Sequence, residues 1–162
     1  MDIQFQQLDQ VDPQDIIALM NNPLVRRQIP LTFDDFNLQD CQKFVHAKTQ
    51  MWQEHGYGPW AFVVDSEFAA WGGLQPEFGM PDLALVLHPK YWGIGKTLTV
   101  QIIEKAFTEM NFDQVTVLFP PMRTRVKGLL KLGFKQLDER VVDDKTFIRY
   151  VLLKQDWNFP RD

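Results

Sequence analysis

The stretch DLALVLHPKYWGIGKTLTVQIIEKAFTEM, residues 82–110, decides the fold of this chain. Residues 83–87 are an apolar run that a proline closes soon afterwards, which predicts a strand buried on both faces. Two glycines follow, Gly93 and Gly95, and beyond them apolar residues recur at the spacing of one helix face. The stretch therefore predicts a strand, a glycine turn and a helix in direct succession.

A glycine turn at the start of a helix is suited to bind an anion. Glycine lets the backbone approach a ligand closely, and the first N–H groups of a helix lie at its positive dipole end. The sequence therefore predicts a phosphate-binding turn, with a glycine turn that binds nothing as the alternative. Two common phosphate motifs do not fit, because Lys90 and Leu98 stand where the ATP-type loop and the dinucleotide fingerprint require glycine.

The same stretch resembles the acyl-CoA-binding segment of the GNAT N-acetyltransferases, and in particular their RimJ/RimL-like branch. Those enzymes typically carry a strand, a His-Pro-x-x-Trp-Gly-x-Gly turn and a helix, and the turn here reads His88-Pro89-Lys90-Tyr91-Trp92-Gly93-Ile94-Gly95. A second likeness, at residues 129–134, is Leu-Leu-Lys-Leu-Gly-Phe, which is similar to the family's Leu-Glu-Lys-Leu-Gly-Phe. Weaker likenesses extend the resemblance over nearly the whole chain, at residues 22–23, 58–62 and 71–74.

The composition limits the class of protein. With 162 residues, 45% of them hydrophobic, the chain suits a single domain, residues 1–162. No apolar run approaches the roughly 20 residues that span a bilayer, the start at Met1 lacks a signal-peptide pattern, and a lone Cys41 permits no internal disulfide. We therefore expect a cytoplasmic protein without a membrane partner. A net charge of −4 argues against a nucleic-acid-binding surface.

Periodicity and turn residues predict the remaining elements. Strands are predicted over residues 3–8, 60–64, 68–74, 83–87, 115–119, 134–137 and 146–153, with loops at 75–81 and 138–145. Helices are predicted over residues 13–21, 38–54, 96–110 and 123–132. This order is that of the GNAT fold, an α/β (α+β) architecture. The resemblance implies one mixed, mostly antiparallel sheet of about seven strands with about four flanking helices. It also implies a splayed parallel pair of strands beginning near Asp82 and Gln114.

The resemblance implies acetyl-CoA as the acyl donor and names the residues that hold it. Backbone N–H groups of the turn would bind the CoA pyrophosphate, and these belong to Trp92, Gly93, Ile94, Gly95, Lys96, Thr97 and Leu98. The backbone of Leu85 and Leu87 would pair with the pantetheine amides. Arg125 would contact the ADP phosphates, with a solvated basic face as the alternative. No metal is expected.

The chemistry of acyl transfer requires a neutral acceptor amine. A lysine amine of pKa ~10.4 is neutral in about one molecule in 2,500 at pH 7, whereas an α-amine near 7.8 is neutral about one time in seven. Asp82 occupies the strand position where RimJ/RimL-like enzymes often carry a glutamate, so we expect it to be the base. Glu77 and His88 are the alternative bases, and a strand-start cap or a surface charge is the alternative role of Asp82. The backbone N–H of Leu85 would polarise the thioester carbonyl.

Five aromatic residues are candidates for the wall of an acceptor pocket, with core packing as the alternative, and these are Phe33, Phe36, Tyr57, Trp60 and Trp71. Two positions depart from the family pattern, since Leu129 replaces a usual general-acid tyrosine and Met122 a usual asparagine.

The sequence thus favours an acetyl-CoA-dependent N-acetyltransferase that acts on a primary amine, either a protein α-amine or a small amine. A non-catalytic acyl-CoA-binding module on the same fold is the alternative that the two departures motivate. A phosphotransferase fits worst, because its loop would lack the first glycine. A homodimer is left open as the oligomeric state.

Overall fold

The computed structural model describes residues 1–29, 35–121 and 126–158. The predictions for Phe33 and Arg125 lie outside these residues. The strands are β1 Ile3–Gln6, β2 Pro59–Val64, β3 Glu67–Glu77, β4 Met80–Leu87, β5 Gln114–Phe119, β6 Lys135–Val142 and β7 Lys145–Leu153. The helices are α1 Pro13–Asn21, α2 Pro23–Arg26, α3 Leu38–His55, α4 Gly95–Thr108 and α5 Lys127–Lys131, and short 3-10 turns occupy Leu8–Gln10, Pro89–Ile94 and Lys154–Asp156.

The strands confirm the predicted fold class. Within the described residues, seven strands form one mixed sheet in the order β1-β2-β3-β4-β5-β7-β6, flanked by helices. The pairs β1–β2, β2–β3, β5–β7 and β6–β7 are antiparallel. Strands β4 and β5 run parallel, and their ladder consists of the pair Asp82 with Thr116. A parallel ladder this short agrees with the expected splayed pair.

Local side chains fix the helix ends where the sequence predicts them. Asp12 caps α1 by accepting a hydrogen bond from the backbone of Gln14, and a proline takes the first helical position. Asn37 and Asp40 form a reciprocal capping box at the start of α3. Gly56 ends α3 in the left-handed conformation, with φ of 75°. Each of these ends depends on residues within one turn of one another, which is why sequence alone finds them.

The chain divides into two compact units, residues 1–75 with 84–97, and residues 76–83 with 98–162. In the first unit, α1, α3 and strand β2 contribute to a core that includes Ile16, Leu19, Cys41 and Ala61. In the second unit, β5, β7 and β6 form an antiparallel ladder, and α4 buries one face. That face consists of Leu98, Ile102, Ile103, Ala106 and Phe107.

Two-residue turns replace the two predicted loops. The prediction of a loop at 75–81 is wrong, because β3 runs to Glu77 and β4 begins at Met80. The residues between them, Phe78 and Gly79, have φ of 51° and 75°, as a type I′ turn requires. The predicted loop at 138–145 is likewise a turn of Asp143 and Asp144, and residues 65 and 66 form the third such turn. Prolines and clustered charges suggested loops where the backbone needs only two left-handed residues.

Two further predictions are corrected. Strand β1 ends at Gln6 rather than at residue 8, because residues 8–10 turn in a 3-10 helix. Residues 83–87 are half-buried throughout, so the prediction that this strand is buried on both faces is wrong. Helix α5 begins at Lys127, and the predicted residues 123–125 lie outside the described ranges.

Of the helices described, none combines the length and apolar character that crossing a bilayer requires.

Candidate functional site

The glycine turn after β4 is helical at both of its glycines. His88 caps the 3-10 turn Pro89–Ile94 by accepting a hydrogen bond from the backbone N–H of Lys90 at Nδ1, 3.1 Å away. The turn leads directly into α4, whose first residue, Gly95, has φ of −56°. Neither Gly93 nor Gly95 has a positive φ. The backbone conformation therefore does not require glycine at either position.

The space around these glycines does not require glycine either. A methyl group at Gly93 would meet no described atom within 4 Å, and one at Gly95 would meet only Cδ1 of Leu87 at 3.9 Å. Gly72 on β3 is different, because a methyl group there would lie 2.4 Å from the carbonyl oxygen of Ala84. Gly93 and Gly95 thus have free space where a side chain would lie, and this leaves room for a ligand beside the backbone, while the N–H of Gly95 itself donates to the carbonyl oxygen of Trp92.

Side chains of the first unit hold the turn in place. Glu67 accepts a hydrogen bond from Nζ of Lys90 at 2.7 Å and another from the hydroxyl of Tyr91, and these bonds hold the pKa of Glu67 below its usual range. The indole N–H of Trp92 donates to the carbonyl oxygen of Leu87 at 3.1 Å. Leu87 is one of the two residues whose backbone is predicted to pair with pantetheine.

The first turn of α4 favours an anion by its electrostatics. It contains no acidic side chain, and Lys96 and Thr97 are exposed there. Leu98, also predicted to bind the pyrophosphate, is fully buried. A helix of 14 residues carries a substantial positive dipole end at this point.

The second unit holds a buried carboxyl group at Asp82. Its side chain is only 6% exposed, and Oδ1 accepts a hydrogen bond from the hydroxyl of the fully buried Thr116 at 2.8 Å. Burial raises the pKa of Asp82 from its usual 3.8 to about 7, while the Thr116 bond and the charge of Arg149 act against this rise and the charge of Glu77 adds to it. Burial and a position inside β4 exclude both the surface charge and the strand-start cap.

A half-buried ion pair beside this carboxyl group was not predicted from sequence. Arg149 on β7 is 5% exposed and donates from Nε and Nη2 to the two carboxylate oxygens of Asp138 at 2.8 and 2.7 Å. Its Nη1 donates to Sδ of Met80 at 3.5 Å. The alternation of residues along β6 and β7 is the available signal in the sequence, and the prediction of a loop at residues 138–145 hides it.

The alternative bases are differently placed. Glu77, half-buried at the end of β3, acts on Asp82 through its charge. His88 caps the turn in the first unit, and its ring lies 6.5 Å from that of Tyr91. Across the described ranges, no three His, Cys, Asp or Glu side chains are arranged to hold a metal ion.

The described aromatic candidates lie in the first unit, and each has a contact with another ring. Phe36 and Trp71 both contact Phe44, at centroid distances of 6.0 and 4.9 Å. Trp60 packs against the rings of Phe5 and Trp52, and Tyr57 lies 6.2 Å from His55. Phe36, Trp60 and Trp71 are buried, as the core alternative expects. A role of these residues in acceptor binding stays a prediction.

Comparison with known proteins gives one family match and many similar folds. The family described as the acetyltransferase (GNAT) domain matches residues 3–135. AAC(6')-Ib in complex with ribostamycin and coenzyme A has a TM-score of 0.77 and 13% identity, over 95% of this chain and 93% of that chain. The ribosomal-protein-S5-alanine acetyltransferase from Vibrio fischeri has a TM-score of 0.72 and 13% identity, over 96% of this chain and 94% of that one.

A GNAT-family acetyltransferase from Bacillus anthracis has a TM-score of 0.70 and 16% identity, over 94% of each chain. No curated protein sequence matches. At such identities the solved structures establish the fold, and the family match establishes the family.

Proposed function

Because the chain belongs to the GNAT acetyltransferase family, we propose that it transfers an acetyl group from acetyl-CoA to a primary amine, by direct attack in a ternary complex. The observation that carries this proposal is the buried carboxyl group of Asp82, whose pKa is about 7. It lies on the strand that leads directly into the open glycine turn. A base and an anion-binding turn on one continuous segment are the parts that this chemistry needs.

Acetyl-CoA is the donor that the turn suits. The proposal assigns backbone N–H groups of residues 92–98, at the start of a long helix, to the ligand; there is room for it beside both glycines, and the N–H of Gly95 would be shared with the carbonyl oxygen of Trp92. In this proposal, these groups bind the pyrophosphate while the backbone of Leu85 and Leu87 pairs with pantetheine. The similar fold of AAC(6')-Ib, solved with coenzyme A, supports the same donor.

Asp82 is the proposed base, acting directly or through one water molecule. A base works best when its pKa lies near the working pH, and burial brings Asp82 there. The N–H of Leu85, in the same strand, is the proposed donor to the thioester carbonyl. Glu77 is better suited to modulate Asp82, since its negative charge further raises the pKa of Asp82.

The pKa of Asp82 also indicates the class of acceptor. Moving a proton from an α-ammonium group of pKa ~7.8 to a base of pKa about 7 costs about 1 kcal/mol, whereas moving one from a lysine of pKa ~10.4 costs about 4.6 kcal/mol. We therefore propose a protein N-terminal α-amine, or a small amine of similar basicity, as acceptor. The names of two similar structures, an aminoglycoside acetyltransferase complex and a ribosomal-protein-alanine acetyltransferase, accord with amine acceptors.

The experiment is turnover of acetyl-CoA with a panel of peptides, lysine derivatives and small amines, for the wild type and Asp82→Asn. We expect kcat/KM to rise through pH about 7 and the variant to lose at least about 100-fold in rate while still binding acetyl-CoA. The matched control is Asp113→Asn, which removes an exposed carboxylate of the second unit and should retain the wild-type rate. An unchanged rate and pH profile in Asp82→Asn would exclude Asp82 as the base.

A non-catalytic acyl-CoA-binding module is the second candidate. Leu129 in α5 favours it, because a leucine provides no proton for the departing thiolate. A thiolate of pKa ~8.5 is nevertheless a fair leaving group without such help, so we prefer the enzyme. Calorimetric binding of acetyl-CoA without turnover on any amine of the panel would favour the module.

A further inference from the structure

Arg149 is a buried cation whose charge affects Asp82, but its hydrogen bonds go to other residues. Its charge favours the ionised form of Asp82. Its Nε and Nη2 donate to both oxygens of Asp138, at 2.8 and 2.7 Å, and its Nη1 donates to Sδ of Met80. All three guanidinium nitrogens are therefore engaged, and none of these bonds goes to Asp82.

Thr116 approaches Asp82 from β5. The two residues are directly opposite in the parallel ladder, and the threonine hydroxyl donates to Oδ1 of Asp82 at 2.8 Å. Thr116 is fully buried, so its side chain is fixed by packing. The carboxyl group is thus held by one neutral donor, while the nearby cation is neutralised by a different carboxylate.

We propose that Asp138 and Thr116 are positioning residues that govern the proton affinity of Asp82: Asp138 withholds the guanidinium group of Arg149, and Thr116 fixes the carboxyl group. This inference rests on the proposed function, in which Asp82 accepts the proton of the acceptor amine. A carboxylate paired directly with an arginine stays ionised to low pH and is a weak base. Occupying Arg149 with Asp138 keeps Asp82 able to take up a proton.

The other charged groups around Asp82 fit this arrangement. Glu77 on β3 adds a negative charge that disfavours ionisation of Asp82. Arg140 on β6 approaches the outer side of Asp138, with 3.4 Å between its Nη2 and Oδ2 of Asp138. The charge of Asp138 is therefore shared by two arginines, and its loss would leave Arg149 uncompensated.

The two positioning residues have opposite effects on Asp82. In Asp138→Asn the uncompensated charge of Arg149 favours ionised Asp82, so its titration midpoint falls. In Thr116→Val, a substitution of similar shape, the hydrogen bond to the carboxylate is lost and the midpoint rises. We expect each shift to be at least about half a pH unit. A purely structural role for these residues would give no such opposition.

The experiment reads the Asp82 carboxyl group directly and through catalysis. Carbon-13 NMR of aspartate-labelled protein, with the Asp82 signal assigned by Asp82→Asn, gives the midpoint without acetyl-CoA. The pH dependence of kcat/KM with an α-amine peptide gives it during turnover. The matched control is Glu139→Gln, an exposed neighbour on β6, which should keep the wild-type midpoint. If Asp138→Asn fails to fold, the test uses two other variants. Thr116→Val should raise the titration midpoint of Asp82, and the double variant Asp138→Asn with Arg149→Gln should not lower it.

The outcomes separate this inference from the proposed function. Opposite shifts of the NMR midpoint support the inference, and matching shifts of the rate profile also support Asp82 as the base. NMR shifts with an unmoved rate profile still support control of Asp82 by Asp138 and Thr116, but refute its role as base. Midpoints that stay fixed in both variants overturn the inference, even if the enzyme acetylates amines.

Discussion

At the residue scale, the buried carboxyl group of Asp82 lowers the stability of the protein at neutral pH. The folded state holds its proton up to pH about 7, whereas the unfolded chain releases it near 3.8. The stabilising contribution of this proton is complete below pH about 3.8 and is lost as the pH rises to about 7. Above that pH the folded protein carries an ionised carboxylate away from water, a state that costs about 4 kcal/mol.

The stability of Asp82→Asn relative to that of the wild type should therefore increase as the pH rises. Asparagine cannot ionise and keeps an oxygen that accepts the Thr116 hydroxyl, so the stability of the variant relative to the wild type should be about 3 kcal/mol greater at pH 8 than at pH 5. Urea unfolding of both proteins at the two pH values measures this difference. Asp113→Asn serves again as the control, and an equal difference at both pH values would contradict the buried titration.

At the element scale, the turn between β4 and α4 combines a fixed frame with open glycines. Glu67 binds Lys90 and Tyr91, and Trp92 binds the end of β4, so the backbone of the turn is held before any ligand arrives. A preorganised backbone binds an anion without first losing conformational entropy. The glycines add access rather than conformational freedom, because neither has a positive φ.

Gly93→Ala and Gly95→Ala should weaken acetyl-CoA binding while leaving the fold intact. Each methyl group would occupy space that the protein does not use, and Gly95→Ala, inside a helix, should gain up to about 1 kcal/mol of stability. Loss of a hydrogen bond to a charged phosphate predicts a rise of roughly tenfold in the Kd of acetyl-CoA. Calorimetry and thermal unfolding measure the two effects. Unchanged affinity in both variants would contradict the proposed pyrophosphate site.

Gly72→Ala, by contrast, should destabilise the fold. A methyl group at Gly72 would lie 2.4 Å from the carbonyl oxygen of Ala84 and 2.8 Å from Cα of Leu85, and backbone atoms cannot move aside locally. We expect a loss of more than about 2 kcal/mol in unfolding free energy. Urea unfolding measures it, and Gly93→Ala, with its open surroundings, is the matched comparison. A variant as stable as the wild type would mean that β3 and β4 are less closely paired.

At the scale of the whole molecule, binding of acetyl-CoA should stabilise the folded chain against heat. A ligand at 100 times its Kd adds about 2.7 kcal/mol, which for a chain of this size raises Tm by about 5–10 °C. Differential scanning calorimetry with acetyl-CoA, coenzyme A and ATP makes the comparison. ATP should give a smaller shift, and an equal or larger shift with ATP would favour the phosphotransferase. The homodimer stays a prediction, which light scattering of the purified protein checks.

The sequence by itself determined the succession of strand, turn and helix that carries the family pattern, and most element positions. Capping residues such as Asp12 and Gly56 act within one turn of the chain, so their effect is readable locally. The turn at residues 78–79 was missed because phenylalanine rarely adopts a positive φ, and the turn at residues 143–144 was missed because the charged residues around it suggested a longer loop.

Only the tertiary structure decided the surroundings of Asp82. Its hydrogen-bond donor, Thr116, lies 34 residues along the chain, and Arg149 and its partner Asp138 come from two later strands. Burial in this setting moves its pKa to about 7, whereas the residue in isolation ionises near 3.8. The sequence identifies the aspartate, but the desolvation and the ionisation of its carboxyl group depend on neighbours that only folding brings together.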